Sequence, residues 1–159
     1  MKQILEILER NSHITPEQIA VMLERDVENV KKEITKLEND GVIVGYKTLV
    51  DWDKAENERV TAFIELRVTP QRGEGFDKIA ERIYQYEQVK TVWLMSGSFD
   101  IGLICEGKTM KDVALFVAEK LAPMPSVIST GTHFVLKTYK DSGIIFDKPR
   151  KDERSVITL

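Results

Sequence analysis

Residues 15–43 read TPEQIAVMLERDVENVKKEITKLENDGVI. Thr15 followed by Pro16 supplies an N-cap and a first-turn proline for a helix that buries Ile19, Ala20 and Leu23. Asp26 caps a second helix, in which Val27, Val30, Ile34 and Leu37 fall on one apolar stripe. Gly41 suits the left-handed position that ends it. Upstream, KQILEILERN sets Ile4, Leu5, Ile7 and Leu8 at helical spacing. The outline is a helix-turn-helix. At about 100° per residue the face opposite the stripe carries Glu28, Asn29, Lys32, Thr35, Lys36 and Asn39. In a helix-turn-helix this face enters the major groove; in a three-helix interaction domain it is merely solvated, and the helices alone fit either reading.

The difficulty is charge. The quoted stretch holds seven acidic residues, Glu17, Glu24, Asp26, Glu28, Glu33, Glu38 and Asp40, against four basic ones, Arg25, Lys31, Lys32 and Lys36. Residues 1–50 carry seven basic and nine acidic side chains, a net of -2, and the whole chain is at -3. Binding a polyanion through bulk charge is therefore excluded, and only a local patch can serve. Lys31, Lys32, Lys36 and Lys47 remain able to contact phosphates, Asn29 to bond adenine and Glu28 to accept from cytosine N4. The expectation is DNA binding that is weak per dimer and strengthened by higher assembly.

From about residue 42 the period shifts toward that of strands. In RVTAFIELRVT, residues 59–69, Ala62, Ile64, Leu66 and Val68 alternate. A glycine-rich turn follows, then a helix with Phe76, Ile79, Ala80 and Ile83 inward. VKTVWLM (89–95) and DIGLICE (100–106) are strands around the turn SGSF. A helix over 109–121 buries Met110, Val113, Phe116, Val117 and Leu121, Pro123 and Pro125 bar its continuation, and VISTGTHFVLKTY makes a last strand. The order β-α-β-β-α-β predicts a ferredoxin-like sheet with both helices on one face. The chain is thus an α+β protein: a helix-turn-helix domain with an exit strand over 1–50, a ferredoxin-like domain over 51–143 and a tail over 144–159. The uncovered sheet face, around Phe63, Trp93 and Phe134, calls for a partner.

The run KLENDGVIVGYKTLVDW with the helix pair before it resembles the N-terminal domain of the Lrp/AsnC (feast/famine) transcriptional regulators, through Leu37, Glu38, Gly41, Val42, Ile43, Gly45 and Tyr46. Gly97-Ser98-Phe99-Asp100 is similar to that family's Gly-x-Tyr/Phe-Asp turn. The sequence departs from the pattern in two places. Glu24-Arg25-Asp26 lacks a turn glycine, and the recognition helix lacks arginine. The resemblance implies a DNA-binding regulator with double-stranded DNA, a small amino-acid-like effector and copies of itself as partners, as a dimer or larger assembly. It also implies an effector site near Met95, Ser96, Gly97, Ser98, Phe99 and Asp100, with Thr130 and Thr132 as neighbours. Gly97 and Ser98 amides would take the effector's carboxylate and Asp100 its ammonium; a tight turn with Asp100 bonding its own backbone accounts for the same residues.

In the tail, Ile144–Phe146 are expected to pack on a neighbouring subunit, with Val156–Ile157 adding an edge strand. No metal, cofactor or catalytic constellation is expected. His13 and His133 have no ligand-spaced companions, Cys105 shares parity with buried strand residues, and Asp100 lacks a nucleophile or acid partner. Trp52, Trp93, Tyr84 and Tyr86 read as core or subunit-interface residues. With no apolar run near the roughly 20 residues a membrane span needs, and a helical pattern at the start in place of a signal peptide, a cytoplasmic protein is expected. The rival reading is a non-enzymatic metabolite-binding or protein-interaction module with a degenerate helix-turn-helix.

Overall fold

The computed structural model describes residues 1–55, 59–70 and 75–146. The chain divides into two compact units, Met1–Val50 and a second from Asp51 onward.

The first unit holds α1 (Lys2–Arg10), α2 (Pro16–Leu23) and α3 (Val27–Asn39). Thr15 closes a capping box: its hydroxyl accepts from the Gln18 backbone N–H at 3.3 Å, and the Gln18 side chain accepts from the Thr15 N–H at 2.9 Å. Asp26 accepts from the Asn29 N–H at 3.0 Å, which starts α3. α3 ends in a Schellman motif, the Val42 N–H reaching the Leu37 carbonyl and the Gly41 N–H that of Glu38, with Gly41 at φ 69°. Ile4, Leu8, Ile19, Ala20, Val30 and Ile34 form the core of this unit. No exit strand forms. Residues 44–50 have no ladder partner among the described residues, so Val44 and Tyr46 stand exposed on an unpaired segment.

The turn between α2 and α3 is made without glycine. The Arg25 N–H bonds the Ala20 carbonyl and the Glu24 N–H that of Val21, which is again a Schellman pattern, and Glu24 occupies its left-handed position at φ 51°. An L-residue with a Cβ is disfavoured there by about 1–2 kcal/mol.

In the second unit β1 (Val60–Val68), α4 (Gly75–Tyr84), β2 (Val89–Leu94), β3 (Ile101–Gly107), α5 (Met110–Phe116) and β4 (Val127–Phe134) follow the expected βαββαβ order. The antiparallel sheet runs β2-β3-β1-β4, a ferredoxin-like arrangement. Ala62, Ile64 and Leu66 of β1 and Ile101, Leu103 and Cys105 of β3 pack in one core with Ile79 and Ile83 of α4 and Val113 and Phe116 of α5. Burial pushes the Cys105 thiol up to about 12, as befits a core side chain.

Several local expectations change. The 109–121 helix is α-helical only to Phe116 and then turns as a π-helix through Leu121, where the Ala122 N–H reaches the Val117 carbonyl. Met110 is half exposed because it occupies the first position after the Thr109 cap, ahead of the inward stripe that starts at Val113. The last strand stops at Phe134. Phe134 pairs with Ala62, and that parity turns it to the helix side, where it packs on the core; His133, paired with Phe63, takes the outer face instead. Tyr86 packs edge-on against Phe116, whereas Trp93 and Tyr84 are exposed in the single chain. Two short strands, β5 (Lys140–Asp141) and β6 (Ile144–Ile145), pair as a hairpin with Ile144 and Ile145 half exposed. Val156 and Ile157 lie outside the described residues.

Replacing Glu24 with glycine should relieve the left-handed strain and stabilise the N-terminal unit by about 0.5–1 kcal/mol after the added freedom of the unfolded chain is offset. Chemical denaturation of wild type and Glu24→Gly checks this; equal or lower stability of the variant would contradict the turn geometry.

Candidate functional site

On α3 the buried stripe of Val30, Ile34 and Leu37 turns the opposite face outward. Glu28, Asn29, Lys31, Lys32, Thr35 and Lys36 are all exposed there, and Lys31, Lys32, Thr35, Lys36, Asn39 and Asp40 line one shallow surface depression. Lys47 is exposed on the unpaired segment after α3.

The acidic residues around this face are largely committed to holding the unit together. Asp26 caps α3. Glu33 takes Arg25 Nη2 at 2.5 Å together with the Met1 ammonium, and these two hydrogen bonds hold its carboxyl below the usual carboxylate range. Glu38 accepts the Tyr46 hydroxyl at 2.9 Å. Glu17 of α2 reaches Lys31 Nζ at 3.0 Å, while Glu28 approaches the same nitrogen at 3.5 Å. Hydrogen bonding to Glu17 raises the Lys31 pKa; a backbone hydrogen bond, and then Lys31, lower that of Glu17. Lys31 is therefore already partnered, and Arg25 is withdrawn toward Glu33. Lys32, Lys36 and Lys47 form no ion pair among the described residues.

In the second unit, the loop Met95–Asp100 joins β2 to β3 and is pinned at its base. The Met95 N–H bonds the Asp100 carbonyl and the Asp100 N–H the Leu66 carbonyl, at 2.8 and 2.9 Å. The Asp100 carboxylate accepts from the Val68 N–H at 2.8 Å, so it ties the loop to β1 and not to its own turn. Arg67 Nε donates to the Ser98 carbonyl at 2.8 Å. Between these anchors the N–H groups of Ser96, Gly97, Ser98 and Phe99 meet no acceptor among the described residues. Gly97 is not in the left-handed region, and a Cβ built on it would touch nothing within 4 Å. Among the described residues nothing requires glycine there.

Beside the loop, on the outer sheet face, Phe63 stands edge-on to Phe99 with ring centroids 5.8 Å apart. It lies so close over Gly102 that a Cβ there would come within 3.2 Å of its ring and 3.4 Å of Met95 Cγ. Glu65 lies 3.3 Å from His133 Nε2. The structure thus gathers Met95, Ser96, Gly97, Ser98, Phe99 and Asp100 into one loop. Thr130 and Thr132 are set apart from it. They pair with Leu66 and Ile64 on β4, across β1 from β3; two ladder spacings, about 9.5 Å, separate their strand from that of the loop. Sequence reasoning placed Phe63 on the outer face but not against Phe99, and it missed Arg67 and the Glu17–Lys31 pair. Alternation places Arg67 outward, but its reach to Ser98 depends on a fold that brings residues 67 and 98 together.

A helix-turn-helix unit with an exposed lysine-bearing helix, and a ferredoxin-like unit with a loop of unbonded backbone donors, define the two-part layout of a ligand-responsive DNA-binding protein. Residues 1–44 match the winged helix-turn-helix DNA-binding family, and residues 61–145 match the Lrp/AsnC ligand binding domain. Over 157 residues the chain is 47% identical to the uncharacterized HTH-type transcriptional regulator YugG of Bacillus subtilis, covering 98% of this chain and 95% of that protein. Two solved structures share the fold. PH0061 has a TM-score of 0.77 at 23% identity, covering 91% of this chain and 95% of that one. The regulator NMB0573 of Neisseria meningitidis, in complex with L-Met, has a TM-score of 0.72 at 21% identity, covering 87% and 89%. The chain belongs to the Lrp/AsnC family of transcriptional regulators.

The loop's anchors and its open stretch should respond differently to substitution. Asp100→Ala leaves the Val68 N–H without its charged acceptor and should cost about 2 kcal/mol, whereas Gly97→Ala should change stability by less than about 0.5 kcal/mol. Thermal unfolding of both variants measures this; a Gly97→Ala loss as large as that of Asp100→Ala would show that the loop is packed where the structure leaves it open.

Proposed function

We propose that the exposed face of α3 reads double-stranded DNA, with Lys32, Lys36 and Lys47 on phosphates, Asn29 and Thr35 at base edges, and Glu28 accepting from cytosine. The observation that supports it is the segregation of charge. The acids of the first unit are largely committed to caps and internal ion pairs, while Lys32, Lys36 and Lys47 have no ion-pair partner among the described residues. Phosphate contacts of this number give modest affinity per subunit, and joining subunits on one DNA raises it. Lys31 contributes only when it leaves Glu17 and Glu28.

The second unit binds a small amino-acid-like effector at the Met95–Asp100 loop, the four open N–H groups facing its carboxylate. The complex of NMB0573 with L-Met supports this class of ligand for a chain of the same fold. Self-association covers the outer sheet face, where Trp93 is exposed beside Phe63, and an effector shifts assembly through differential affinity for two states. The protein acts in the cytoplasm, where its DNA is, and as a regulator without catalysis of its own.

Electrophoretic or anisotropy titration of a duplex spanning the region upstream of its own gene tests the DNA-reading face. Glu17→Gln combined with Glu28→Gln should release Lys31 from both of its carboxylates and steepen the slope of log K against log salt concentration by about 0.9 per bound protomer. An unchanged slope would remove Lys31 from the DNA-facing set.

A further inference from the structure

We propose that Arg67 is the carboxylate receptor of the effector site and that Asp100 is a positioning residue that leaves the effector's ammonium unbound. The inference rests on the effector site proposed at the Met95–Asp100 loop. Two independent features carry it. One is the row of four successive N–H groups, Ser96 to Phe99, without acceptors among the described residues. Backbone donors that the chain leaves unbonded are open to an acceptor, and a carboxylate is the strongest acceptor an amino acid offers. The other is the guanidinium held against that row.

Arg67 points to the outer face of β1 with Phe63 and Glu65, as strand parity requires. Only its Nε is used, in the 2.8 Å bond to the Ser98 carbonyl. That bond fixes the guanidinium beside the loop and leaves the two terminal nitrogens without a partner among the described residues. Glu65, two residues away on the same face, does not quench it, because its carboxylate is turned toward His133 at 3.3 Å and spreads over Gly131. A planar guanidinium with a free edge is the side chain best matched to a carboxylate, which it takes through two parallel N–H bonds.

Asp100 is placed differently. One carboxylate oxygen is spent on the Val68 N–H at 2.8 Å, while its own N–H and carbonyl close the loop base. Its charge is thus employed in holding β1 and the loop together, and the loop's recognition of a ligand comes through the acid function. This site reads the carboxylate of an amino acid more strongly than its amino group.

Calorimetric titration of the wild-type protein with each of the twenty common L-amino acids identifies the tightest binder; that amino acid and its carboxamide are then titrated into wild type, Arg67→Gln and Arg67→Lys. Wild type should prefer the acid to the carboxamide. Arg67→Gln should weaken binding of the acid by about 10- to 100-fold and of the carboxamide far less, so that the preference collapses, while Arg67→Lys retains part of it. An Arg67→Gln protein that keeps the wild-type ratio of acid to carboxamide affinity would show that Arg67 only supports the loop, and would overturn this inference while the effector site stands. If no amino acid binds wild type, the effector site itself falls, and this assignment with it.

Discussion

Strand β1 is the member on which the ligand-binding unit depends. It pairs with β3 on one side and β4 on the other, and its two faces do separate work. Ala62, Ile64 and Leu66 are fully buried against the helices, and Phe63, Glu65 and Arg67 are turned outward. Its last turn of alternation also builds the Met95–Asp100 loop, because the Leu66 carbonyl, the Arg67 side chain and the Val68 N–H each hold a different atom of residues 98–100. A one-residue slip in register would carry Arg67 to the core side and release all three ties at once. The packing of the core and the shape of the loop are therefore consequences of a single pairing.

The acidity of the helix-turn-helix unit has a physical explanation in where its carboxylates sit. Glu33 draws together the chain's N-terminus and Arg25, Glu38 holds Tyr46, and Glu17 with Glu28 holds Lys31. Exposed pairs of this kind contribute little stability individually. Their larger effect is on which cations remain available, since a lysine shared by two carboxylates is a poorer phosphate partner than one facing only water. Net charge thus says less about the reading face than the list of unpaired cations does.

Much of the architecture was legible because it rests on local rules. Thr15 with Pro16, Asp26 and Gly41 mark helix ends through their own backbone chemistry, and the alternation in Ala62, Ile64, Leu66 and Val68 reports a half-buried strand without knowledge of its neighbours. The left-handed Glu24 was not legible, because the hydrogen bonds that impose it are those of a motif usually signalled by glycine. Phe134 was placed on the wrong face since parity along the last strand is set by pairing with Ala62, which composition does not reveal. The exit strand was expected from its apolar residues, yet a strand needs a ladder partner, and the described residues provide none. The loop residues were visible as a motif, whereas Arg67, thirty-one residues away along the chain from Ser98, reaches the loop only through the sheet.

If an acidic helix-turn-helix binds DNA through Lys32, Lys36 and Lys47, which have no ion-pair partner among the described residues, its affinity must fall with salt in proportion to their number. The most direct measurement is the affinity of the full-length wild-type protein for duplex DNA across a range of salt concentrations. With Lys32, Lys36 and Lys47 as the phosphate contacts, log K should fall against log salt concentration with a slope of about −2.7 per bound protomer. Affinity independent of salt, or no binding at low salt by an assembled sample, would contradict it.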